Sequence, residues 1–301
     1  MYEKQIEQIR ALMRRYDTNK VDILDLDGTV VDINLLTSTV NGILEFGIRY
    51  PIDYLVRQGL SKLCINPDHI SYIDNRLTSK EAIKYIEDGL FVNVTEEQIQ
   101  EIIHTGIEDI VKSCFSFPRA LILAMRHRVP RRLILCITGT PQEIADVVCP
   151  LLGFDAVVGS YYPKKNGKYV DGKRNFDAGC NKRKIIKMLI KECGINLEGF
   201  IAAGDRKFDL DLLCHATYPI AMNPKRDLQQ YLRKSIWSRG EFRKIAWIDQ
   251  KLDRPMEDCF IWVTNKTNML VETDISQILP HDIIELMYKI EEKRARKWFS
   301  R

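Results

Sequence analysis

"RRLILCITGTPQEIADVVCPLL", residues 131–152, contains the switch on which the fold depends. Its first half is a short apolar run, Leu133 to Ile137, of the kind that forms a buried strand. A Thr-Gly-Thr turn follows, and then a helix start is written out. Thr140 stands as N-cap, Pro141 at the first helical position, and Glu143 completes a capping box. A buried strand that runs straight into a helix is half of a strand-helix-strand crossover, which joins parallel strands.

The same alternation extends both ways. Downstream, "FDAVVGS" (154–160) predicts a strand and "YYPKKNGKYV" (161–170) a hairpin turning at Asn166-Gly167. "NKRKIIKMLIKE" (181–192) predicts a helix, and "GFIAAGD" (199–205) and "YPIAMNP" (218–224) two further strands. Upstream, "KVDILDLDG" (20–28) is a strand ending at a glycine turn. The expected class is therefore α/β, a doubly wound parallel sheet over 20–32 and 118–240. Residues 33–117 interrupt it with segments of helical periodicity, among them "NLLTSTVNGILEFGIRY" and "TEEQIQEIIHTGIEDIVKSCF", and with capping-box spacing at Thr78/Glu81 and Thr95/Gln98. They predict an inserted all-helical cap. Residues 1–19 carry Ile6, Ile9 and Met13 at helical spacing, and 241–301 predict a hairpin around "NKTN" followed by a closing amphipathic helix.

Composition excludes several classes. The 45% of hydrophobic residues in 301 can fill a core, and a net charge of +4 makes the whole molecule no magnet for nucleic acid. The longest apolar run, "ALILAM" (120–125), is far shorter than the roughly 18 to 20 residues of a membrane span, and the charged first residues lack a secretory h-region. Eight cysteines form no C-x-x-C pair, and five scattered histidines offer no zinc pattern. A soluble protein of the reducing cytoplasm is expected, and any metal should bind oxygen.

Sites in such sheets lie at the carboxyl ends of the strands. The polar residues there are Asp25, Asp27, Thr138 and Asp205, from three strands far apart in sequence. Residues i and i+2 of an extended chain share a side, so Asp25 and Asp27 both reach one crevice if the strand stays extended. Two carboxylates so close repel unless a cation intervenes, and Mg²⁺ takes one or two carboxylates together with a substrate phosphate. Asp205 can supply a second carboxylate, with Asp209 supporting it one turn on. Thr138 and the Gly139 amide precede a helix N-terminus, a natural anion site, and Lys182 opens the next helix with a positive charge. Paired carboxylates, a metal, a hydroxyl, amides and a lysine describe phosphoryl transfer: Asp25 attacks phosphorus to give an aspartyl-phosphate, and Asp27 moves the proton.

Four ordered motifs, "DLDGT" (25–29), "ITGT" (137–140), "NKRKIIKMLIKE" (181–192) and "GDRKFD" (204–209), resemble those of the haloacid dehalogenase superfamily, and the surrounding residues resemble its phosphoserine-phosphatase-like branch. The resemblance implies a Rossmann-like core and a Mg²⁺-dependent phosphomonoester hydrolase acting on a small-molecule phosphate ester. It makes Asp25 the nucleophile, Asp27 the acid/base and a backbone-carbonyl metal ligand, Thr138, Gly139 and Lys182 phosphate binders, and Asp25, Asp27 and Asp205 the metal residues. Asp209 and Thr29 support them. Register against the family pattern selects Lys182 over Lys184, and leaves Asp211 and Asp32 as solvent or supporting groups. One departure stands out: Asn34 occupies the position of the glutamate with which phosphoserine phosphatases bind substrate. Phosphoserine would lose its counter-charge there. Arg49, Arg76 and Lys80 are candidate cap contacts.

Three alternatives remain open. An alcohol could intercept the aspartyl-phosphate, making a phosphotransferase. The basic stretches "RHRVPRR" (126–132), "RKSIWSRGEFRK" (233–244) and "EEKRARKWFSR" (291–301) mix in aromatic residues, as nucleic-acid surfaces do, which admits a nucleic-acid-end phosphatase. The same fold could also serve as a noncatalytic scaffold. Oligomeric state is not legible.

Overall fold

Strands rich in Ile, Val, Leu and Ala stack into one sheet whose two faces are both covered. The computed structural model describes residues 2–32, 95–105, 107–166, 168–170, 174–238, 245–251, 260–264 and 270–299. The elements, in chain order, are α1 (Glu3–Tyr16), β1 (Val21–Leu24), α2 (Glu96–Thr105), α3 (Ile107–Lys112), α4 (Ser116–His127), β2 (Leu133–Pro141), α5 (Gln142–Leu152) and β3 (Ala156–Ser160). A short hairpin of β4 (Lys164–Lys165) and β5 (Lys168–Tyr169) precedes α6 (Lys182–Cys193), β6 (Ile201–Gly204), α7 (Leu210–Leu213), β7 (Tyr218–Met222), α8 (Arg226–Ser238) and β8 (Ala246–Asp249). β9 (Phe260–Thr264), β10 (Leu270–Glu272) and α9 (His281–Phe299) close the chain.

The eight-stranded sheet has the order β10-β9-β8-β7-β6-β1-β2-β3. From β3 to β8 every pairing is parallel, and β9 and β10 add antiparallel strands at the far edge. Alternation along each strand divides the core. Leu24, Ile134, Cys136, Ala203 and Ile248 face α4, α5 and α9, while Ile23, Leu133, Leu135, Ala202 and Ala221 face α1, α6, α7 and α8. The sheet is thus doubly wound, as the alternating sequence predicts. The segment from 246 onward continues this sheet and returns α9 to pack beside α4.

The chain leaves the core at Asp32 and re-enters beside the same point. The Asp32 amide donates to the Ser113 carbonyl (2.8 Å), the Phe115 amide to Val30 (3.0 Å), and Val31 pairs with Cys114. Most of the segment read as a cap, with Thr78, Glu81, Asn34, Arg49, Arg76 and Lys80, lies outside the described residues. Its last part, α2 and α3, is helical.

One local expectation is overturned. Thr140 does not cap α5: β2 runs on to Pro141, which pairs with Ser160, and the helix starts at Gln142 without a side-chain cap. The capping box fails because both of its members are engaged elsewhere. Thr140 donates to Asp27 (2.5 Å), and Glu143 accepts from Lys164 and from the Tyr169 hydroxyl.

The arginines of 126–132 are bound within the protein at the strand starts, opposite the site. Arg131 grips Asp155 through two contacts of 2.7 and 2.8 Å, and Arg132 meets buried Asp22 at 3.1 Å. Arg128 pairs with Asp282 at 2.8 Å, and Arg126 donates to the Gly153 carbonyl at 2.9 Å. The side chains of the other two basic stretches lie largely outside the described residues. Cys114, Cys136, Cys149, Cys180, Cys193 and Cys214 form no disulfide among the described residues. Among the described residues no helix is long and apolar enough to cross a membrane.

Candidate active site

The site grows out of three neighbouring strand ends. β1 finishes at Leu24, and the Asp25 amide still reaches across to the Ala203 carbonyl of β6 (2.9 Å), which fixes the backbone from which its side chain projects. The chain then bends at Gly28, whose φ of +79° suits glycine, and closes a turn in which the Gly28 amide donates to Val31 (2.7 Å). A side chain at Gly28 would also overlap the Asp205 carboxylate. Asp25 and Asp27 therefore diverge: the first turns inward and the second toward β2.

Asp25 is 8% exposed. Its Oδ1 accepts from Lys182 Nζ at 2.6 Å, and its Oδ2 from the buried Thr29 hydroxyl at 3.5 Å. Lys182, at the first position of α6, is 2% exposed and also donates to Asp209 Oδ1. A buried ammonium without partners would be very costly, and here two carboxylates hold it in its charged form. Burial alone lowers its pKa, but Asp209 and Asp25 together raise the net value. Lys184 is exposed, which decides between the two lysines.

Asp205 follows the last residue of β6 and is 1% exposed. Asp209 holds the turn after it, its Oδ2 accepting from the Asp205 amide (2.9 Å) and the Arg206 amide (2.8 Å). Neither carboxylate oxygen of Asp205 has a hydrogen-bond partner. A buried carboxylate left without donors is among the most unfavourable arrangements a fold can keep. Burial, and then the charges of Asp25 and Asp209, push its pKa up to about 8; burial first pushes Asp25 up to about 7.

Ligand oxygens of Asp25, Asp205 and Asp209 lie within 4.8 Å of one another. A cluster of buried carboxylates, one of which accepts no hydrogen bond among the described residues and has the Arg206 guanidinium no nearer than 3.9 Å, fits a hard divalent cation with oxygen preference such as Mg²⁺. The side chain of Asp27 lies apart from this set. Its Oδ2 accepts from Thr138 Oγ1 at 3.2 Å and from Thr140 Oγ1 at 2.5 Å. Thr138 is buried, and its Oγ1 in turn accepts from the Thr140 amide (3.2 Å). Gly139 packs against Gly179, where a side chain on the latter would come within 3.0 Å of the Gly139 Cα. Asp211 and Asp32 are not drawn into the cluster. Sequence reasoning missed Thr140 as a site residue because its placement before a proline reads as a helix cap. It also ranked Asp209 as a support, whereas its carboxylate stands inside the cluster.

Residues 168–231 match the family model described as haloacid dehalogenase-like hydrolase. That stretch contains Lys182, Asp205 and Asp209. A curated relative, the "Inhibition of morphological differentiation protein" of Streptomyces azureus, is 23% identical over 157 residues, 52% of this chain and 56% of that protein. The chain thus spans about half the length of that relative. Among solved structures, a protein of unknown function from Bordetella pertussis Tohama I superposes with a TM-score of 0.53 at 18% identity, covering 73% of this chain and 97% of its own. A phosphoserine phosphatase in its apo form covers 71% of this chain and 90% of its own, with a TM-score of 0.45 and 17% identity.

Proposed function

We propose that this haloacid dehalogenase-like chain is a phosphatase: a Mg²⁺-dependent phosphomonoester hydrolase that works through an aspartyl-phosphate at Asp25, on a small phosphorylated molecule. The observation that carries the reading is the convergence of buried Asp25, Asp205, Asp209 and Lys182, with the Asp205 oxygens accepting no hydrogen bond among the described residues. Nothing in the sheet's stability calls for that arrangement, and phosphoryl transfer does.

Asp25 and Asp205, with Asp209 beside them, would hold the cation, together with the Asp27 carbonyl. When bound, Mg²⁺ supplies positive charge that keeps Asp25 ionised and balances the nonbridging oxygens of the phosphoryl group. Lys182 donates to Asp25 Oδ1 and to Asp209 Oδ1 and so holds Asp25 in place for attack on phosphorus. As the bond from an Asp25 oxygen to phosphorus forms, the bond to the ester oxygen breaks, and the departing alkoxide takes a proton from Asp27. In the second half Asp27 takes a proton from water. The water oxygen bonds to phosphorus, the acyl-phosphate bond breaks, and inorganic phosphate and the Asp25 carboxylate are regenerated. Thr138, whose hydroxyl meets Asp27, and the Gly139 amide would contact the phosphoryl oxygens. Residues 33–117, which leave and re-enter the core beside Val31, would cover the crevice and select the leaving group.

The test is inorganic phosphate release from a panel of phosphomonoesters, with Mg²⁺ or with chelator, for wild type and Asp25→Asn. Metal-dependent release that the substitution abolishes supports the reading. Release unaffected by Asp25→Asn would refute it.

A further inference from the structure

We infer that Thr140 is a positioning residue for the acid/base Asp27, holding its carboxylate in place while Thr138 attends to the phosphoryl group. The inference rests on the phosphatase reading and adds a residue to it. Thr140 is 1% exposed, and its Oγ1 lies 2.5 Å from Asp27 Oδ2, the short separation of a hydroxyl donating to a carboxylate. Thr138 reaches the same oxygen at 3.2 Å. Residues 138 and 140 both belong to the bulged end of β2, between the pairings of Ile137 with Val158 and of Pro141 with Ser160, and there both hydroxyls reach the same Asp27 oxygen.

Asp27 needs such a holder. It sits in the turn after β1, beyond the last strand residue, and is only partly buried. Its side chain must keep one place relative to the leaving oxygen, because proton transfer falls steeply as geometry loosens. A hydroxyl has one proton to donate. If Thr138 turns its proton to a phosphoryl oxygen, its contact with Asp27 Oδ2 is given up for that part of the cycle. Thr140 then keeps its hold. The Thr140 amide also donates to Thr138 Oγ1 (3.2 Å), so one residue orients both partners of the reaction. This role explains why β2 extends through Pro141 rather than yielding Thr140 as a helix cap.

The test compares kcat/KM, which reports transfer of the phosphoryl group to Asp25 and excludes the later hydrolysis common to both substrates, for wild type, Thr140→Val and Thr140→Ser on two esters: an alkyl phosphate, whose leaving group needs a proton, and p-nitrophenyl phosphate, whose leaving group departs without one. Thr140→Val is expected to lower kcat/KM on the alkyl ester by about 10- to 100-fold, part of the full acid–base effect, and on the aryl ester by less than about 3-fold. Thr140→Ser, which restores the hydroxyl, is expected to return the alkyl rate to within about 3-fold of wild type. Thermal melts confirm folding, and Thr140→Ala is the second variant if valine disturbs β2. Equal losses of kcat/KM on both esters, or failure of serine to rescue, would overturn the role of Thr140 alone. No metal-dependent turnover by wild type on either ester would remove the phosphatase reading and this role with it.

Discussion

Burial opposes ionisation at Asp25 and Asp205, and the sign of the resulting pH dependence is fixed. Both carboxyls lie above their ordinary value of 3.8, at about 7 and about 8, so the metal-free folded protein holds protons that the unfolded chain has already released. Stability contributed by these groups is therefore full below the unfolded pKa and declines as pH rises through about 7 to 8. Melts of chelated protein should show Tm falling from about pH 5 to about pH 8, and, if the cluster holds Mg²⁺ as proposed, saturating Mg²⁺ should lift the upper end most, since a cation favours the ionised carboxylates. A chelated Tm that climbs over that range would contradict the charge arrangement. Much of the site was legible residue by residue: Asp25, Asp27, Lys182 and Asp205 stand at strand ends or a helix start with chemistry that nothing else in the sequence explains. Thr140 was not. Its local spelling is that of a helix cap, and its true partner, Asp27, is 113 positions away.

The elements matter through how closely their ends approach. Gly204, the last residue of β6, lies so near Asp209 that an added methyl would overlap the Asp209 side chain. Gly204→Ala should therefore push Asp209 off the Asp205 and Arg206 amides, cost about 1–3 kcal/mol, and weaken Mg²⁺ binding by calorimetry. Wild-type affinity in a folded Gly204→Ala variant would show that the turn tolerates the shift. The strand and helix order was readable because periodicity and turn chemistry are local. The expected hairpin is present as the antiparallel pairing of β4 with β5, with Asn166 at φ +54°. The boundary between β2 and α5 was misread because pairing of Pro141 with Ser160 is a tertiary fact that no cap signal contains.

At the scale of the molecule, the last part of the chain completes the sheet that presents the site. β8 pairs with β7, while Ile248, Ile283 and Met287 are fully buried in the common core. Deleting residues 246–301 would uncover the edge of β7 and this apolar surface, so the shortened chain should aggregate or lose its cooperative melt; a soluble variant melting like the full chain would show that the site needs only the strands before it. This joining was not legible, since the pairing of an edge strand leaves no mark in its own sequence. The destinations of Arg126, Arg128, Arg131 and Arg132 were equally hidden, for an ion pair partner can lie anywhere along the chain. What unites the three scales is the proposal that the sheet brings Asp25 to a cation and a phosphoryl group. The direct test is rapid acid quench of the protein turning over a phosphate ester with Mg²⁺, followed by peptide mass spectrometry with fragmentation. The account predicts one phosphoryl group on Asp25, absent from Asp25→Asn. Release of phosphate with no phosphoryl group on Asp25 would contradict it.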